Sequence, residues 1–163
     1  MTINEKLEKA IGLRQSGNPA EARTLLEQLL RQEPLNASVW YQCAWTHDVM
    51  GLEKEAVPFY EKALELGLGG EEREGALLGL GSTYRTLGLY NEAERLFAQA
   101  ILEYPENKEF QVFQAMVKYN LKAYSEGMEL LLKLLAETSA DPGIQAYKKA
   151  ILFYADKLDE RWD

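Results

Sequence analysis

Cys43, His47 and Asp48 are the residues of this 163-residue chain whose types and spacing could carry chemistry. Cysteine and histidine at i and i+4 share a helix face, which suits a thiolate–imidazole pair or two ligands of a metal ion. No second histidine exists to complete such a site. Acids such as Glu53 and Glu55 have no spacing that marks a general acid–base pair. Glycines 67, 69 and 70 are not followed by the Gly-Lys-Ser/Thr of a phosphate loop. Packing between helices is the favoured reading of Cys43 and His47, with ligation or catalysis as the alternative. The chain is therefore expected not to be an enzyme and to need no cofactor or metal.

Whatever positions these residues must be built from a chain of net charge −8, with 18 Lys and Arg against 26 Asp and Glu. A nucleic-acid binder presents a basic stripe that replaces phosphate counterions. The densest basic spot here is Lys148-Lys149, followed by Asp156 and Asp159, so no nucleic-acid partner is expected. The acids fall in helix-like runs, such as Glu53, Glu55, Glu61 and Glu65, and read as a solvated outer face or, alternatively, an acidic docking surface. No run approaches the roughly 20 apolar residues of a spanning helix, and the opening MTINEKLEKA has no apolar signal core. One cysteine permits no internal disulfide, which fits a reducing, cytoplasmic location. The length suits a single domain, residues 1–163.

The elements themselves repeat. GLYNEAERLFAQAILEYPEN, from Gly88, aligns with stretches starting at Gly17, Gly51 and Lys122. The small residue after each turn is Ala22, Ala56, Ala93 or Gly127, at separations of 34, 37 and 34 residues. Leu26, Tyr60, Phe97 or Leu131 lies four residues further on, then Leu29, Ala63, Ala100 or Leu134. Before the turns, Trp40, Cys43, Ala44 and His47 match Leu77, Leu80, Gly81 and Tyr84. These i, i+3, i+4, i+7 patterns predict two helices per unit, and the small columns let paired helices approach closely. A bulky residue there would overpack the contact at a cost of about 1–3 kcal/mol.

The pattern resembles the tetratricopeptide repeat. Unit three carries it best, through Gly81, Tyr84, Gly88, Tyr90, Ala93, Phe97, Ala100 and Pro105; unit two adds Trp40, Ala44, Gly51, Ala56, Tyr60 and Ala63. The resemblance covers about residues 3–141, as units 3–36, 37–70, 74–107 and 108–141. It implies an all-α, right-handed α-solenoid. Cys43 and His47 depart from the family's Leu and Tyr. Unit two lacks a closing proline and has three extra residues in Gly67–Arg73, which read as a longer loop, an extra helical turn or a hinge. In unit four, aligning on Ala115 puts Gln111, Gln114 and Lys118 in the core. A shift of one residue puts Phe110, Phe113 and Val117 there, and is preferred.

Local punctuation adds boundaries. Asn18-Pro19 and Asp141-Pro142 pair a cap with a first-turn proline. Asn91 and Glu94 have the spacing of a capping box. Pro58 requires its helix to start near Lys54 or Glu55. The tail predicts one capping helix over 142–162, with Ile144, Tyr147, Ile151, Tyr154, Ala155 and Leu158 on its buried face. Phe153 lies opposite, either as a stray exposed aromatic or as half of a self-association patch.

The resemblance also implies that the first helix of each unit lines a groove for a peptide or helix of a partner protein. The candidate lining is Leu7, Ile11, Arg14 and Gln15 in unit one; Tyr41, Trp45, Asp48 and Val49 in unit two; Leu78, Ser82, Arg85 and Thr86 in unit three; and Tyr119 with Met116 in unit four. The Lys and Asn cluster with which some family members hold a terminal carboxylate is absent. Tyr41 and Trp45 suggest a site for an apolar or aromatic side chain, oriented by Arg14, Asp48 and Arg85. Trp45 and Leu7 could instead pack against neighbouring units. A self-associating scaffold is the competing function, which leaves a homo-oligomer open.

Overall fold

The computed structural model describes residues 1–163 and is helical throughout, with ten helices. They are α1 (Ile3–Gln15), α2 (Pro19–Gln32), α3 (Ala37–Val49), α4 (Glu53–Glu65), α5 (Gly70–Thr86), α6 (Tyr90–Glu103), α7 (Lys108–Asn120), α8 (Tyr124–Thr138), α9 (Pro142–Ala146) and α10 (Lys148–Tyr154). The chain forms two compact units, Met1–Leu89 and Tyr90–Asp163. The boundary falls in the turn of the third predicted repeat.

In the first unit α1 packs on α2 and α3 on α4, while α2 also meets α3 and α4 meets α5. The first helices α1, α3 and α5 touch in succession, making one layer of the unit. The core starts from Leu7, Ala10, Leu26, Leu29, Val39 and Cys43, with Ile3, Ile11, Leu25, Leu30 and Phe59 closing its edges. Each large aliphatic side chain buried there contributes about 1.5–3 kcal/mol. Ala22, Ala44, Ala56 and Ala63 are fully buried, as the small-residue columns require.

In the second unit α7 packs on both α6 and α8. Fully buried Phe97 of α6 meets Phe110 and Phe113 at ring separations of 6.5 and 6.2 Å. Phe110 and Val117 are fully buried, which establishes the shifted register for α7. Gly127 fits because any Cβ would stand 3.2 Å from the Ala115 carbonyl oxygen. Lys118 ties the three helices together, bonding Glu94 at 2.8 Å and Glu126 at 2.9 Å. Those two hydrogen bonds raise its pKa.

The turns share one construction. Gly17, Gly51, Gly67 and Gly88 have φ between +72° and +85°, and Lys122 takes the same conformation at +63°. In each turn the next residue's N–H reaches back five residues, for example Leu52 to the His47 carbonyl at 2.9 Å and Ala123 to that of Lys118 at 2.9 Å. This closes the helix end by a Schellman motif.

Several local expectations change. GEER, Gly70–Arg73, is an extra helical turn at the start of α5. α4 begins at Glu53, so Pro58 sits in its second turn, where the lost N–H affects a single bond. α6 begins at Tyr90, so Asn91 lies inside the helix and is no cap. A complete capping box instead joins Thr2 and Glu5. Asn18 occupies the cap position of α2 without capping it through its side chain, whereas Asp141 accepts from the Ile144 N–H at 3.0 Å.

The tail is not one helix over 142–162. It breaks at Tyr147 (φ −103°, ψ 12°) and ends at Tyr154. Lys157 folds back onto the Phe153 carbonyl at 3.1 Å and occupies the helix end. α10 packs on α8, as a terminal cap would. Of the predicted buried face, only Ala155 is buried; Ile144 and Ile151 are half-buried, while Tyr147, Tyr154 and Leu158 are exposed. The short helices and the break at Tyr147 do not carry a single continuous stripe.

Candidate functional site

The cysteine and histidine do not form a chemical pair. Cys43 is fully buried, and burial pushes its thiol pKa up to about 12, so it stays protonated and unreactive. The His47 Nδ1–H donates to the Cys43 carbonyl at 2.7 Å, and its ring stacks on Phe59 at 4.6 Å. Cys43 packs in the core with Leu7, Ala10, Leu26 and Leu29 of α1 and α2, and His47 packs against α4. No group of three or more His, Cys, Asp or Glu side chains is placed to hold a metal ion.

A different cluster gathers on the layer made by α1, α3 and α5. Trp45 is 42% exposed, while Tyr41, one turn earlier, is 7% exposed. Their rings lie 5.9 Å apart. Tyr41 also meets Tyr60 at 6.3 Å. Both tyrosines lean into α5 at positions without a side chain. A Cβ on Gly75 would stand 2.2 Å from the Tyr41 hydroxyl, and one on Gly79 would stand 2.5 Å from that of Tyr60. The Gly75-x-x-x-Gly79 spacing is a notch for two phenols, and it was the sequence signal that periodicity alone overlooked.

Asp48 lies at the polar end of this cluster. The Tyr60 hydroxyl donates to it at 2.6 Å, and the Thr83 hydroxyl stands 3.1 Å from both carboxylate oxygens. Desolvation raises the Asp48 pKa, with Glu53 adding to it and the two hydrogen bonds opposing it. Asp48 thus ties α3, α4 and α5. A second tie comes from the extra turn of α5, where Glu72 accepts from the Ser38 hydroxyl at 2.5 Å and from Gln42 at 3.4 Å.

Arg14 enters from α1. It is only 6% exposed. Its guanidinium carbon stands 4.1 Å from the centre of the Trp45 ring, a cation–π contact. Its Nη1 bonds the Gln42 carbonyl at 3.4 Å and the Thr46 hydroxyl at 3.3 Å. Burial lowers its pKa from the ordinary arginine value.

The remaining expected groove residues divide. Leu7 is 9% exposed and lies in the core with Leu26, Leu29, Val39 and Cys43. Ile11, Leu78, Ser82 and Arg85 are half-buried; Gln15, Val49 and Thr86 are exposed. Met116 and Tyr119 are exposed on α7 of the second unit, where Tyr119 stands edge-on to Tyr124 at 5.2 Å. The structure therefore assembles Arg14, Tyr41, Trp45 and Asp48 in one unit. Glu72, Gly75, Gly79 and Thr83 are supporting residues that the repeat pattern did not single out.

Residues 37–158 match a family model described as Tetratrico peptide repeat, and residues 3–46 match a second, Tetratricopeptide repeat. No match is found among curated proteins. Among solved structures, a tetratricopeptide repeat protein from Parabacteroides merdae superposes with a TM-score of 0.73 at 22% identity, over 94% of this chain. This chain spans only 59% of that protein. YrrB, described as a TPR protein with an unusual peptide-binding site, gives 0.72 at 18% identity, covering 96% of this chain and 78% of YrrB. The Cut9–Hcn1 hetero-tetramer of the APC/C gives 0.75 at 18% identity, covering 94% of this chain and 30% of the matched one. The paired helices, the small-residue columns and the family match over most of the sequence place this chain in the tetratricopeptide repeat family, whose fold is an all-α solenoid and a general scaffold for protein–protein interaction.

Proposed function

We propose that the α1–α3–α5 layer of the first unit binds a peptide or helical segment of a partner protein, with Trp45 as its central contact. The observation that carries this reading is the exposure of Trp45 above a base of buried Arg14 and Tyr41. A large aromatic on a rigid footing is the kind of anchor that dominates interface energies. YrrB, a TPR protein with an unusual peptide-binding site, lends analogy. A protein partner, rather than nucleic acid or membrane, is supported by the net charge of −8 and by the lack of any helix long and apolar enough to cross a membrane. A non-catalytic role in a reducing cytoplasm is part of the same reading, supported by the single, buried cysteine.

The test is a selection of displayed peptides on the intact chain, followed by titration against Trp45→Ala. Binding should weaken by about tenfold or more, equivalent to ~1.4 kcal/mol, with circular dichroism unchanged. Selected peptides that bind the variant as well as the parent would remove the assignment. Tyr41→Ala is not suited to this test, because Tyr41 fills the Gly75 notch and its loss would disturb the unit.

A second reading, self-association, has its own observation. Phe153, Tyr154 and Trp162 are all about half-exposed. They form a ring cluster at separations of 5.1 to 6.5 Å, with Lys157 over Phe153. Sedimentation that shows a monomer at all concentrations would dispose of it.

A further inference from the structure

We infer that Arg14 is a recognition site for a carboxylate carried on an acidic side chain, preferably glutamate, of the segment bound beside Trp45. This rests on the groove reading above and names the partner chemistry that the groove selects.

A guanidinium carries five N–H donors. Arg14 uses only Nη1, at 3.4 and 3.3 Å, well beyond the 2.7–2.9 Å typical of charge-assisted bonds. Nε and Nη2 have no partner within the chain, and neither is sealed from solvent. No carboxylate pairs with Arg14. Two acids of the same layer are engaged with other groups: Asp48 with Tyr60 and Thr83, Glu72 with Ser38 and Gln42. A cation with only 6% exposure, its guanidinium carbon 4.1 Å from the Trp45 ring centre and without a counterion, is an uncommon arrangement, since buried charges are normally paired. The unspent Nε and Nη2 donors form the side-on edge of the guanidinium fork, which matches the two oxygens of a carboxylate.

The depth of the site chooses the source of that carboxylate. Arg14 is 6% exposed and Trp45, 4.1 Å away, is 42% exposed, so a partner seated on the indole must reach inward to meet the guanidinium. A glutamate supplies a methylene stem that packs along the indole and lowers the carboxylate to Nε and Nη2. A chain-terminal carboxylate has no stem.

The test uses the full chain labelled with nitrogen-15. The Arg14 Nε–H and Trp45 indole resonances are followed during titration. The probes are acetyl-Ala-Leu-Glu-Leu-Ala-amide, its Gln counterpart, and acetyl-Ala-Leu-Ala with a free terminal carboxylate. Peptides are taken to about 20 mM, enough to detect affinities weaker than the ~4 kcal/mol of a millimolar complex. The expected result is a saturable shift of both resonances by the Glu peptide, with the Gln peptide about tenfold or more weaker. Arg14→Lys, which keeps the charge but loses the fork, should reduce the Glu peptide to the Gln level. Equal binding of Glu and Gln peptides, with Trp45 shifting, would overturn the acid assignment and leave the groove standing. Stronger binding of the free-terminus peptide would overturn the choice of source. Absence of any shift at Trp45 or Arg14 would overturn both readings. The Glu and Gln comparison is made on the unaltered chain, so it decides the matter even where the Arg14 variant folds poorly.

Discussion

Asp48 has two hydrogen-bonding neighbours, one of which has a competing acceptor. The Thr83 hydroxyl lies 2.7 Å from the Gly79 carbonyl and 3.1 Å from Asp48, and one proton cannot serve both fully. An asparagine would accept from Tyr60 and donate to Thr83, leaving the Thr83 proton for Gly79. Because desolvation raises the folded-state pKa, the group binds its proton more tightly when folded. Its contribution is fully present below the ordinary carboxylate pKa near 3.9 and is lost as pH rises through the raised folded value. Asp48→Asn should therefore be at least as stable as the parent at pH 7, with a flatter pH dependence just above the ordinary carboxylate value. Asp48→Ala, which orphans the Tyr60 hydroxyl, should lose about 1–3 kcal/mol. Urea unfolding at several pH values checks both, and a destabilised Asn variant would count against the account. Cys43 gives a second prediction at this scale. A fully buried thiol with its pKa pushed up to about 12 should react with iodoacetamide at pH 8 only as fast as the first unit opens, and rapid labelling of the native chain would contradict its packing.

Helix ends show where local chemistry and repeat pattern part company. Four of the five turns put glycine at positive φ, and the fifth puts Lys122 there at +63°. An L-residue pays about 1–2 kcal/mol in this conformation, while glycine adds about 0.4–1 kcal/mol of unfolded-state entropy. Lys122→Gly should then stabilise the chain by about 0.5–1 kcal/mol, read from a shift in the urea midpoint at constant slope; a loss of stability would show that the Lys122 side chain has a role of its own. The helix pairs and turns were legible because the 34-residue spacing repeats four apolar and small-residue columns. The start of α6 was not, since Asn91 and Glu94 have capping-box spacing but the Schellman turn at Gly88 commits Tyr90 to the helix first. The break at Tyr147 was equally hidden, because the stripe from Ile144 to Leu158 is continuous in sequence and fails only in three dimensions. At the site, Tyr41 and Trp45 were readable from helical spacing. The burial of Arg14 was not, since it depends on how α1 meets α3, a contact between residues 28 to 32 positions apart.

At the scale of the whole molecule, stacked repeats draw their stability from each unit and its immediate neighbours rather than from one shared core. The chain's two compact units, Met1–Leu89 and Tyr90–Asp163, each carry large side chains with no solvent exposure: Leu26, Leu29 and Val39 in the first, Phe97, Phe110 and Val117 in the second. Phe97 is the most informative residue to remove. Its ring meets both Phe110 and Phe113, so Phe97→Ala would leave a cavity on the α6–α7 contact and cost about 3–5 kcal/mol. If stability is local, native-state hydrogen exchange in this variant should show the largest loss of protection across α6, α7 and α8. Amides of α1, α2 and α3, several helices away in sequence, should keep most of theirs. The binding proposed for Trp45 should then survive in Phe97→Ala at temperatures where the second unit is already loosened. A uniform loss of protection from α1 to α8 would instead mean that the repeats fold as one cooperative block, and that a lesion in either unit reaches the Arg14–Trp45 site.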